Sequence, residues 1–320
     1  MSNRRTFLKQ LSGTIAFASL AGLPLDVLAK REQIKISILH TNDMHSRIEP
    51  FPDDDVKWAG LGGMARRAAI IDQFRAKEKN VLLLDAGDIF QGTPYFNYYG
   101  GELEYKLMSR MGYDAVTIGN HDFDNGIDGL VKMHPHANFP FLIANYDFSD
   151  TAMNGKTQPY KIFEKEGIRI GVFGIGIELA GLVEKKMYGE TRYLDPLKKA
   201  DEMSTLLRLE KKCDLVICLS HLGYKYKENK LSDELFAQAS ENIDLIIGGH
   251  THTFLDQPVA YKNKSGRQVL VAQAGWAGIK LGKIDFFFER KSGLFAANTK
   301  YQIETASSLI KVSELTTGLG

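Results

Sequence analysis

Cysteine is scarce in this 320-residue chain, which has only two. Cys213 and Cys218 lie around one apolar run at an odd spacing, on opposite faces of the strand it predicts. A disulfide framework is therefore excluded and packing is their expected role. An excess of charge of one sign is missing too. The 40 Lys+Arg against 39 Asp+Glu leave no basic surplus to hold a nucleic-acid polymer and no acidic one. A long hydrophobic run is also lacking: the stretch from Leu11 to about Leu25 falls short of the roughly 20 residues a bilayer requires, so no stable membrane span is expected. Internal repeats and low-complexity segments are absent. What remains is 44% apolar and 25% charged, the make-up of a globular chain with a substantial core.

The N-terminus carries a twin-arginine pattern, Asn3-Arg4-Arg5-Thr6-Phe7-Leu8-Lys9, then the short apolar stretch and a small-residue end at Val27-Leu28-Ala29. Residues 1–29 read as an export signal cleaved after Ala29. The expected route is the twin-arginine translocase, with a periplasmic or other extracytoplasmic destination. Removing the signal moves the formal charge from +1 to −1.

From Gln33 onward, apolar runs alternate with helical spacing. Strands are expected at Ile34 to Leu39, Val81 to Leu84, Ala115 to Ile118, Phe141 to Ala144, Ile168 to Ile175, Leu215 to Leu219 and Ile243 to Ile247. Helices are expected over Gly62 to Lys77, Leu103 to Met111, Pro196 to Lys211 and Ser232 to Ser240. Continuous runs such as Val81-Leu82-Leu83-Leu84 suit strands covered on both faces. After Gly249 only strand patterns follow: Val269 to Ala272, Lys283 to Phe288 and Phe295 to Ile303, the last two joined by a turn at Lys291-Ser292-Gly293. An α/β fold with mixed sheets in one domain over about residues 32–305 accounts for this pattern, with a loose tail over 306–320.

Five polar clusters stand at the ends of apolar runs: Thr41-Asn42-Asp43-Met44-His45, Gly87-Asp88, Gly119-Asn120-His121-Asp122, Ser220-His221 and Gly249-His250-Thr251-His252. Ligands in α/β folds gather at the carboxyl ends of strands, so these ends can converge. In extended backbone, side chains at i and i+2 point the same way, which lets Asp43 with His45, and His250 with His252, chelate in pairs. Of the eight histidines, five fall at such ends. His40, within a strand end, and His134 and His136, in a loop before Asn138, read as packing or surface residues. Such oxygen and nitrogen donors fit a two-metal hydrolytic centre.

In this order the clusters resemble the calcineurin-like metallophosphoesterases. More narrowly, Leu39-His40-Thr41-Asn42-Asp43-Met44-His45, Gly87-Asp88-Ile89-Phe90-Gln91-Gly92-Thr93 and the segment from Tyr113 to Asp124 resemble the signatures of the 5′-nucleotidase family. The resemblance implies a four-layer αββα sandwich with two divalent metal ions: Mn, Zn, Fe or Co. It implies Asp43, His45, Asp88 and His252 as ligands of one ion, and Asp88, Asn120, His221 and His250 of the other, with Asp88 shared. It implies His121 and Asp124 as a catalytic dyad beside in-line attack of a metal-bridging hydroxide on phosphorus. The expected substrate is a nucleotide or other phosphoester.

Two departures set alternatives. His252 stands where many 5′-nucleotidases have Gln or Asn. The second, C-terminal nucleotide-binding domain of full-length members has no counterpart before Gly320, so a separately encoded domain is one expected partner. The same chemistry would also serve a cyclic-nucleotide phosphodiesterase, a nucleotide-sugar hydrolase or a sulfur-oxidation hydrolase. Tyr95-Phe96-Asn97-Tyr98-Tyr99 offers either a packed loop or a surface on which a base could stack.

Overall fold

The computed structural model describes residues 33–289 and the backbone of Ile303–Lys311. The expected signal segment and the turn at Lys291-Ser292-Gly293 lie outside the described residues. The chain divides into two compact units. One is Lys35–Phe286 with Glu304–Gly320; the other is Met1–Ile34 with Phe287–Ile303, of which six residues at the ends of strands are described. The candidate site lies wholly in the first.

Two mixed sheets form the frame. The first runs β13-β12-β1-β2-β3, with β1 at Gln33–Thr41, β2 at Val81–Asp85, β3 at Ala115–Val116, β12 at Lys280–Glu289 and β13 at Ile303–Lys311. The second runs β10-β11-β9-β8-β6-β5, with β5 at Tyr160–Lys165, β6 at Ile168–Ile175, β8 at Leu215–Ser220, β9 at Leu245–Gly248, β10 at Val259–Lys262 and β11 at Gln268–Ala272. A separate pair joins β4 (Tyr146–Asp147) to β7 (Arg192–Tyr193).

Helices cover one face of each sheet. Helices α1 (Met64–Lys77), α3 (Glu102–Met111) and α4 (Gly126–Met133) bring Ile70, Ile71, Met108 and Leu130 into one core with Leu39, Leu83 and Val116. Between α1 and α3 lies the short α2, Pro94–Tyr99. A further turn of helix, α5, spans Lys185–Tyr188. Helices α6 (Pro196–Thr205) and α7 (Asp233–Ala239) bring Ala200 and Phe236 against Phe173, Val216 and Ile246. The side chains of alternate parity, Ile36, Ile38, Leu82 and Leu84 on one sheet and Leu215, Ile217, Leu245 and Ile247 on the other, are fully buried and belong to neither of these helix-containing clusters. Strand side chains alternate faces, so these two faces cover each other, which gives the expected αββα layering. Local chemistry starts the second helix group: Asp195 caps α6 by accepting from the amides of Leu197 and Lys198 at 2.9 and 3.1 Å, with Pro196 behind it.

Several expected elements come out differently. Phe141 to Ala144 is no strand but a set of isolated bridges, because its amides serve both sheets: Leu142 donates to Val116 and Ala144 to Gly174. The helix expected to Lys211 stops at Thr205 and continues as a π turn over Leu206–Glu210. Ile303–Lys311 is a strand on the edge of the first sheet, where a loose tail was expected from Ala306. Its partner is β12, which the pattern of the tail alone does not reveal. Cys213 and Cys218 are free and buried. Among the described residues, no helix is long and apolar enough to cross a membrane.

Parallel register aligns the strand ends. Thr41 pairs with Asp85 and Asp85 with Val116; Ile175 pairs with Ser220 and Ser220 with Gly248. The first donor of each polar cluster, Asp43, Asp88, Asn120, His221 or His250, stands one to four residues past its strand end.

Candidate metal centre

The clusters meet in two groups of donors. Asp43, His45 and His252 each place a ligand atom within 4.8 Å of the others, and so do Asp88, His221 and His250. Nε2 of His45 lies 2.9 Å from Nε2 of His252, which is 3.4 Å from Oδ1 of Asp43. Nε2 of His221 lies 3.0 Å from Oδ2 of Asp88 and 4.0 Å from Oδ1 of Asp43, so the groups adjoin. Asn120 joins the second through Oδ1, 2.8 Å from Nδ1 of His250. His40, His134 and His136 stay outside: His40 is buried against Gly282, His134 contacts the Lys156 carbonyl, and His136 faces Glu102.

The chelating geometry is not the extended one that the spacing suggests. Asp43, His45, Asp88, His250 and His252 all hold positive φ, between 47° and 69°. Non-glycine residues rarely adopt this region, and such strain collects at functional sites. Consequently His250 and His252 serve different groups instead of one point. Glycine is needed beside them: a Cβ on Gly249 would come within 2.8 Å of Nδ1 of His221 and 2.9 Å of the Ala86 carbonyl oxygen.

Three supports went unassigned in the sequence. The Asp122 carboxylate accepts from the amides of Gly119, Asp88 and Ile89 at 2.8, 3.1 and 3.0 Å, pinning the Asp88 turn to the Asn120 turn. Gln273 donates to the Gly249 carbonyl at 2.6 Å and accepts from Thr251 and the Thr253 amide. Trp276 stacks on His252. Asp122 was visible as part of Gly119-Asn120-His121-Asp122, but Gln273 and Trp276 carry no local signal.

The electrostatics fit cations. Burial lowers His45 despite the nearby carboxylates of Asp88 and Asp43, and burial together with His221 lowers His250 to about 4, so both rings present lone pairs at neutral pH. His221 donates from Nδ1 to the Ala86 carbonyl at 2.6 Å. Its buried Nε2 lies 3.0 Å from the Asp88 carboxylate. A proton or a metal cation must neutralise this arrangement. Without metal the proton does so: burial opposes the charge, but Asp88 and Asp43 outweigh it and raise His221 to about 10. Burial also opposes ionisation of Asp88, yet His221 holds that carboxyl below its usual range. Two carboxylates, four imidazoles and an amide oxygen match the donor preferences of first-row divalent ions.

His121 stands at the edge of this cluster. Its Nδ1 lies 2.9 Å from Oδ2 of Asp124, and its amide donates to Oδ1 of Asp88 at 2.7 Å. The Asp124 hydrogen bond, working against burial, raises the imidazole above its ordinary value. The aromatic run splits as a helix would split it. Phe96 is buried against Phe90, whereas Tyr98 is 86% exposed.

Comparison with known proteins agrees with this geometry. Residues 36–254 match the calcineurin-like phosphoesterase family, and the chain belongs to it. It is 36% identical over 286 residues to a snake venom 5′-nucleotidase of Gloydius brevicauda, covering 82% of this chain and 47% of that protein. A 5′-nucleotidase of Vibrio cholerae is 36% identical over 264 residues, covering 76% of this chain and 45% of its own length. The crystal structure of a 5′-nucleotidase precursor from Thermus thermophilus superposes with a TM-score of 0.75 at 31% identity, covering 87% of this chain and 54% of that one. The chain is thus a metallophosphoesterase homologous to 5′-nucleotidases and spans about half the length of the curated relatives it matches.

Proposed function

We propose that this chain is the catalytic unit of a dinuclear-metal phosphoester hydrolase that converts nucleoside 5′-monophosphates to nucleoside and phosphate. The observation that carries this reading is the pair of adjoining donor groups, Asp43/His45/His252 and Asp88/His221/His250. Asp88 would be the ligand shared by both ions, and Asn120 would complete the second set. When bound, two divalent ions would activate water and neutralise the phosphoryl group.

The chain's own residues supply the rest. Asp124 fixes the tautomer of His121 at Nδ1 and favours the imidazolium, leaving Nε2 to stabilise charge on the phosphoryl or leaving oxygen. The amide of His121 on Asp88 ties this dyad to the shared carboxylate. Asp122 holds the loop beneath both. Export of the folded chain by the twin-arginine route, read from residues 1–29, belongs to the same proposal.

The curated relatives are 5′-nucleotidases by name, which supports a nucleoside monophosphate as substrate over a cyclic nucleotide, a nucleotide sugar or a sulfonate. The test is phosphate release from adenosine and cytidine monophosphates, cyclic nucleotides and a chromogenic ester, before and after chelation and after restoring Mn, Co or Zn. Monophosphate hydrolysis that disappears with the chelator and returns with metal is expected. Hydrolysis confined to cyclic or sulfonate substrates would overturn the substrate, and metal-independent turnover would overturn the mechanism.

A further inference from the structure

We propose that Trp276 is the positioning residue of the Asp43/His45/His252 group, holding the His252 ring by parallel, offset stacking. The inference rests on reading that group as a metal site. Histidines that ligate metals usually fix their orientation by donating the second ring nitrogen to a carbonyl or carboxylate. His45 meets the Phe90 carbonyl at 3.3 Å through Nδ1, and His221 meets the Ala86 carbonyl at 2.6 Å. His252 is different. Its Nε2 faces His45 and Asp43, and Nδ1 makes no protein hydrogen bond among the described residues.

The indole of Trp276 takes that place. Its ring lies 5.5 Å from the His252 ring at an interplanar angle of 4°, and it meets His45 edge-on at 6.3 Å and 66°. The indole is itself held. Phe51 packs edge-on at 5.7 Å, and Asn42 bonds the Ala274 amide at 2.8 Å and the Gly275 carbonyl at 2.6 Å. The Ala277 amide donates to the Asp43 carbonyl at 2.7 Å, so one short segment fixes both Trp276 and a proposed ligand backbone. The second group makes no ring contact with Trp276; His221 and His250 pack on each other at 5.4 Å. Loss of the indole should therefore weaken one metal site of the two.

Two tryptophans in the chain make this measurable. Trp58 stacks on Phe254, and Trp58→Phe leaves Trp276 as the sole indole. Chelator-stripped protein is titrated with Mn(II) by calorimetry, with Trp276 fluorescence followed in the Trp58→Phe background. The expected result is two bound ions per chain, with quenching at Trp276 tracking one of the two binding steps. Trp276→Ala should weaken that step by about 10–100-fold, the usual effect of losing a residue that orients a metal ligand, and leave the other unchanged. Trp276→Leu, which keeps bulk without a stacking face, should show the same loss, and Trp276→Phe should bind as the parent does. Two-ion binding unaffected in both the Ala and Leu variants, or both steps weakened equally, would overturn the role of Trp276 alone. No Mn(II) binding by the parent chain would overturn the metal-site reading beneath it.

Discussion

Gly119→Ala tests the packing around Asp88, the carboxylate proposed to be shared. A Cβ at this position would lie 2.6 Å from the Asp88 amide nitrogen and 2.7 Å from its Cγ, and closer still to Oδ1. Non-bonded carbon contacts settle at about 3.5–4.0 Å, so Asp88 or its turn must move by roughly 1 Å. Little in the surroundings yields. Asp88 sits at φ 56°, and its amide, with those of Gly119 and Ile89, is fastened to the buried Asp122 carboxylate. Overpacking of this kind costs about 1–3 kcal/mol, and a displacement of that size would also spoil the geometry of the ligand proposed to be shared by two ions. Urea unfolding of the chelator-stripped chain should show that loss of stability, and elemental analysis after reloading should find fewer than two metals per chain. Unchanged stability together with two tightly held metals would refute the placement of Gly119 against Asp88.

Asp88→Ala should lose both metals while Asn120→Ala loses mainly one; two tightly bound ions in Asp88→Ala would rule out a shared ligand. His121→Ala should keep its metals and lose roughly 10²–10⁴-fold in turnover, the scale of a positioned acid–base group. If its metal content drops as far as that of His221→Ala, His121 is a ligand. The buried Asp233 accepts from Ser220 at 2.5 Å, its Oδ2 has no partner, and burial raises it to about 8. Its folded-state value lies above the unfolded one of about 4, so the carboxyl costs nothing below that pH and increasingly destabilises the fold up to about pH 8, at about 1.4 kcal/mol per unit. Metal-free Asp233→Asn should therefore gain stability over the parent as pH rises across this window; parallel pH profiles would contradict it.

Legibility in the sequence followed the range of the interactions. Val81 to Leu84 and Leu215 to Leu219 were readable as strands because burial on both faces leaves a continuous apolar run. The donor set was readable because each donor stands next to a strand end, so local pattern carried it. The way the donors meet was not. The left-handed backbone at Asp43, His45, His250 and His252 depends on tertiary contacts; the i, i+2 argument joined Asp43 to His45 for an incorrect geometric reason and joined His250 to His252, which fall in different groups. Phe141 to Ala144 has the composition of a strand, yet its hydrogen bonds divide between Val116 and Gly174 on different sheets. Apolar spacing could not separate the α turn before Leu206 from the π turn after it. Trp276 acts on a ring 24 residues earlier in the chain, with only small neighbours in Gly275-Trp276-Ala277-Gly278 to mark it.

Anomalous diffraction from crystals of the Mn-loaded chain tests the central claim most directly. The account predicts two peaks about 3.5–4 Å apart, the separation of two-metal hydrolytic sites. One should be bonded to Asp43, His45 and His252, the other to Asn120, His221 and His250, with Asp88 reaching both. A single peak, or two peaks without Asp88 between them, would contradict it.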